Sequence, residues 1–151
     1  MSDRPSSYTT VVVGTDGSDT SFAAVERAAQ LARDEGATLV IACAYFPSRP
    51  DPAVEDVLGD EAYQVVGSAP ADDTVSRARD RAAAAGATRI ETVARQGKPE
   101  QTLLSVVEQY RADLLVVGNR GLNTLAGRIV GSVPLHVARH CPTDVLIVHT
   151  T

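Results

Sequence analysis

The order of segments along this chain predicts an α/β fold, a mostly parallel sheet with helices on both faces. Two observations carry that prediction. Runs that are β-branched and apolar on both sides, such as TTVVVGTD and ADLLVVG, alternate with segments of helical spacing to the end of the chain. A strand without a polar face is one sandwiched between layers. The exits of two helices also read alike, Gly-Ala-Thr followed by a strand, as repeated βαβ construction would write them.

Each element has its own signal. Residues 9–16 form the first strand, and Asp-Gly-Ser then supplies a turn with a helix cap. Phe22, Val25, Ala29 and Ala32 repeat at helical spacing, and Gly36 stops that helix. Residues 38–46 make a second strand. The text then changes: residues 47–72 carry half of the prolines and predict a long loop with one short helix at 53–58, in a class of fold where such loops lie over sites. A helix is expected from Thr74 to Ala85, closed by Gly86, and RIETVA makes the third strand. Pro99 suits a first helical position, with Leu103, Leu104, Val107 and Tyr110 as the buried stripe. The fourth strand ends at Gly118, Ser132 caps a helix over 133–140, and DVLIVH closes the chain as a fifth strand.

Composition limits what such a fold does. The 151 residues suit one domain, 1–151, with one sizeable core. A formal charge of −5 argues against a sequence-independent grip on nucleic acid or on an anionic membrane. The amino terminus, MSDRPSSYTT, lacks the apolar segment of a signal peptide, which leads us to expect a cytoplasmic chain. Cys43 and Cys141 stand far apart without a CxxC pair, so no disulfide is expected.

Parallel sheets bind ligands beyond the carboxyl ends of their strands, where strand order reverses. If strands one and four are neighbours there, GTDGS and GNRGLNTLAGRIVGS face one pocket. Gly118 and Gly121 let a ligand lie against bare backbone, while Gly131 and Ser132 place free amides and a hydroxyl at a helix amino end. That combination suits a di- or triphosphate. Arg120 or Arg128 can add a cation, and Asp16 can accept a hydroxyl proton or hold a metal through water. Neither GxxxxGK[ST] nor GxGxxG occurs, which excludes a Walker ATPase and an ordinary dinucleotide fold.

The spacing Gly118, two residues, Gly121, nine residues, Gly131-Ser132 resembles the ATP-binding motif of the universal stress protein family. VVVGTDGSDTS is similar to that family's opening strand and aspartate turn, and RIVGSVPLHVARHCPTDVLIVHT to its last helix and strand. The likeness is to the short, single-domain actinobacterial type and covers all but 47–72. It implies a five-stranded parallel sheet of order 3-2-1-4-5, in the adenine nucleotide alpha hydrolase-like, Rossmann-like group. It also implies a regulatory protein that binds ATP with magnesium, or cyclic AMP. Asp16 then lies by the ribose and the metal-phosphate side, Ala44 and Val117 touch adenine, Gly118 and Gly121 pack on ribose and phosphates, and Gly131 with Ser132 holds the phosphate tail. Gly14 and Thr15, Asn119 and Arg120, Arg128 and Val133 complete the pocket. The resemblance further implies a homodimer through 144–149, with protein partners it does not name. Pro134 and Cys43 depart from the family's usual serine and histidine without removing a motif residue.

Other readings are weaker. A slow ATPase or nucleotidyl-transfer enzyme would need a general base for water, which no residue visibly supplies. A nucleotide-independent dimeric interaction module belongs to a branch without these glycines. His136 and His140 share a helix face beside Cys141, but no HExxH glutamate accompanies them and no directly bound metal is expected. Ser18, Ser132 and His149 form no recognisable triad.

Overall fold

A computed structural model of the chain describes residues 7–47, 67–119 and 133–150. Five strands form one parallel sheet: β1 (Thr10–Gly14), β2 (Thr38–Tyr45), β3 (Ile90–Gln96), β4 (Leu114–Gly118) and β5 (Asp144–Val148), in the order β3-β2-β1-β4-β5. Among the described residues four helices connect them: α1 (Asp19–Glu35), α2 (Ser68–Ala84), α3 (Pro99–Tyr110) and α4 (Val133–His140). The expected class and strand order are both present. Strand order reverses between β1 and β4, where successive connections turn to opposite edges of the sheet.

Side-chain alternation along the strands builds two cores. Val11, Val13, Leu39, Ile41, Cys43, Leu114 and Val116 face α1 and α2. Val12, Val40, Ala42, Leu115 and Val117 face α3 and α4, where Leu103, Val106, Val107 and Val137 meet them. The first core is alanine-rich, with Ala24, Ala28, Ala29 and Ala32 from α1 and Ala71, Ala78 and Ala82 from α2. Small side chains let those helices lie close to the sheet. Phe22 is the bulky exception, fully buried, with the guanidinium carbons of Arg77 and Arg81 each 5.3 Å from its ring centroid.

Local chemistry sets the helix ends. Ser18 caps α1 by accepting from the Ser21 amide, and Gly36 closes it in the left-handed region at φ 68°. Beyond Gly36, the Ala37 amide donates to Ala32 O at 2.9 Å, a bond that a left-handed residue at 36 permits. At the amino-terminal edge of the sheet, the Asp113 carboxylate accepts from the amides of Thr9 and Thr10, tying β1 to the turn before β4.

One boundary differs from expectation. α2 starts at Ser68, six residues before Thr74, so residues 68–72 are helix rather than the end of a loop. Pro70 is no obstacle there, because a proline in the first turn lacks only an amide that has no helical partner anyway. The buried stripe Ala71, Thr74, Val75, Ala78 and Ala82 already begins at 71. Residues 48–66, which include the helix expected at 53–58, lie outside the described residues.

Candidate functional site

The turn after β1 is held by its own hydroxyls. The Thr15 amide extends the ladder to Ala42 O at 3.0 Å, and Thr15 Oγ1 accepts from the Gly17 amide at 3.1 Å and lies 2.7 Å from Ser21 Oγ. Asp16 Oδ1 accepts from the Ser18 amide at 2.9 Å and from Ser18 Oγ at 2.6 Å. Gly17 sits at φ 87°, a conformation that favours glycine. This network fixes the Asp16 carboxyl at the head of α1, beside the carboxyl ends of β1 and β4.

Three of the expected contact positions share one face of the sheet. A Cβ on Gly14 would meet the Leu103 methyls at 2.9 Å, so Gly14 faces α3. Val117 belongs to the same core and continues the register Val13↔Val116, which sets it beside Gly14. Ala44 lies two residues beyond Ala42, the β2 partner of Gly14, and so on that face too. Gly14 and Val117 lie side by side on neighbouring strands about 4.8 Å apart, with Leu103 packed over Gly14, and Ala44 stands two residues further along β2 at the carboxyl end of the same face.

Gly118 differs from Gly14. Its φ is not in the left-handed range, and a Cβ there would meet Thr150 at 3.5 Å and Ala24 at 3.9 Å, ordinary contact distances. Among the described residues neither backbone conformation nor crowding requires glycine at this position.

Asn119 is 5% exposed, and its side chain is turned towards the residues after β5. Val133 opens α4 half-buried against the second core. Arg120, Gly121, Arg128, Gly131 and Ser132 lie outside the described residues. His136 and His140 stack on α4 with ring centroids 4.4 Å apart, and among the described residues no group of three or more possible metal ligands occurs.

Asp72 escapes sequence reasoning because the segment before it reads as loop. From the second turn of α2 it acts, with Asp16, on Cys43 at the carboxyl end of β2. Burial first, then the charges of Asp16 and Asp72, push the Cys43 thiol from its ordinary 9.0 up to about 12. Below about pH 9 the thiol is neutral in both folded and unfolded states; between 9 and 12 only the unfolded chain ionises, so stability falls with rising pH. Denaturant midpoints measured from pH 8 to 11 are expected to fall more steeply for the wild type than for Cys43→Ala. Parallel curves would show that Cys43 does not contribute.

A model described as the universal stress protein family matches residues 7–149. Over 146 residues the chain is 51% identical to a universal stress protein of Mycobacterium tuberculosis (strain H37Rv), covering 97% of this chain and 99% of the relative. A solved universal stress protein in complex with cAMP is 50% identical, with a TM-score of 0.81 over 97% of this chain and 100% of its own. A universal stress protein of Lactobacillus plantarum is 26% identical, with a TM-score of 0.73 over 96% of this chain and 100% of its own. Among the described residues no helix is long and apolar enough to cross a membrane.

Proposed function

This chain belongs to the universal stress protein family, and on that ground we propose that it is a regulatory adenine-nucleotide binder. Its ligand is cyclic AMP or magnesium ATP, held at the carboxyl ends of β1 and β4. The observation that carries this reading is the turn after β1. Its hydroxyls and amides hold the Asp16 carboxyl at the head of α1, at the carboxyl ends of β1 and β4 where strand order reverses, which is where a parallel sheet binds its ligand. In this reading the base lies against Ala44 and Val117, Asp16 accepts from a ribose hydroxyl, and the sugar rests on the backbone of Gly118. The phosphate reaches Gly121, Gly131 and Ser132, with Arg120 or Arg128 as counter-charge. The cAMP complex of a protein 50% identical to this one supports cyclic AMP as a ligand.

β5 lies at one edge of the sheet, with Val145, Leu146, Ile147 and Val148 only half-buried. An apolar strand with an open ladder favours pairing, and a second copy through 144–149 is the partner we assign to it.

Calorimetry with cyclic AMP and with magnesium ATP tests the reading. Saturable one-to-one heat with either ligand is expected, and absence of binding to both would sink the proposal. Phosphate release under multiple turnover, abolished by Asp16→Ala, would replace it with the ATPase reading.

A further inference from the structure

We infer that Asn119 is a positioning residue, which fastens the ligand end of β4 to the tail that follows the edge strand. This rests on the proposed function, in which Gly118 lines the nucleotide pocket. The Asn119 amide donates to Val148 O at 2.9 Å, extending the β4–β5 ladder by one residue. Its side chain is then used at both ends. Oδ1 accepts from the Thr150 amide at 2.8 Å and from Thr150 Oγ1 at 3.1 Å, and Nδ2 lies 3.0 Å from His149 Nδ1.

Chemistry decides the orientation of this clamp. A backbone amide only donates, so the group facing Thr150 N must be the carbonyl oxygen, and Nδ2 must face His149. Nδ2 also only donates, so His149 Nδ1 accepts. The imidazole is therefore neutral and carries its proton on Nε2. Thr150 in turn lies over Gly118, with Oγ1 at 3.5 Å and Cγ2 at 3.6 Å from where a Cβ would stand. One short unit, Asn119 with His149 and Thr150, thus backs the glycine that meets the ligand. Burial makes the bonds count, because an amide that loses them inside the protein is left unpaired. Ligand affinity is consequently coupled to residues 149 and 150, which the ligand does not need to touch.

The test compares cyclic AMP affinity for the full-length wild type, Asn119→Ala, His149→Ala and the double variant. Asn119→Ala is expected to weaken binding about fivefold or more, within the usual range of coupling between sites. His149→Ala, an exposed change that spares the core, is expected to weaken it by a smaller factor, and by nothing further on top of Asn119→Ala. The nitrogen spectrum of the wild-type His149 ring is expected to show the Nε2–H tautomer and to shift on adding nucleotide. If Asn119→Ala binds like the wild type, the inference fails. If it loses affinity while His149→Ala keeps all of it and the ring spectrum does not move, Asn119 acts by touching the ligand and the inference also fails. A wild type that binds neither cyclic AMP nor magnesium ATP defeats the nucleotide reading itself, a distinct result.

Discussion

Phe22→Ala is expected to lower stability by about 3–5 kcal/mol, the usual cost of emptying a buried aromatic site. Phe22 is fully buried in the core shared by α1, α2 and the sheet, where most of its neighbours are alanines or β-branched residues. Alanines have no longer side chain to swing into the space, so the cavity stays open. The variant also removes the face on which Arg77 and Arg81 rest, leaving Arg81 to its exposed pairing with Glu26 at 3.2 Å. Such exposed pairs are worth little alone. For a domain of this size, each kcal/mol moves the melting point by roughly 2–4 °C, so a drop of about 10 °C is the expected calorimetric result. A change of only a degree or two would mean that α1 and α2 close over the gap.

Asp16→Ala makes the opposite separation, function with little loss of stability. It removes the bonds from the Ser18 amide and hydroxyl but leaves Ser18 capping α1 through the Ser21 amide, so the melting point should fall by only a few degrees. Cyclic AMP binding should weaken about tenfold or more, equivalent to roughly 1.4 kcal/mol, because the carboxylate that accepts from the ribose in the proposed reading is gone. Gly131→Val should weaken binding likewise at the phosphate end. Unchanged affinity in a folded Asp16→Ala protein would remove the observation on which the functional reading rests.

These two residues also mark what the sequence makes legible. Phe22 could be placed in a helix stripe from periodicity, because a buried helix face repeats every three or four residues whatever lies opposite. Asp-Gly-Ser announced its turn through local chemistry, and the structure forms it through Asp16, Gly17 and the Ser18 cap. Strand alternation gave the class of fold, whereas the order of the strands came from resemblance; nothing in periodicity says which strands are neighbours. The start of α2 was hidden because Gly67 contributes no side-chain cap and the proline and acidic residues after it imitate a loop. The Asn119 clamp was hidden for another reason. Its bonds join positions 30 and 31 apart, and no local pattern records a contact of that length. Arg120, Gly121, Arg128, Gly131 and Ser132 are still known by spacing alone.

The pairing of β1 with β4 has a consequence for how the molecule is made. It joins the opening strand to one that follows two further βαβ units, and the adjacent Thr9 to Asp113 bond spans 104 positions. Closing so long a loop costs entropy before any contact repays it. The two walls of the crevice come from opposite ends of this interval, so neither half of the chain contains a site. In the proposed reading a nucleotide therefore has nothing to hold until β1 and β4 are paired, and it stabilises only the finished fold. On that reading, nucleotide binding acts as a check on completed folding, made by the ligand itself.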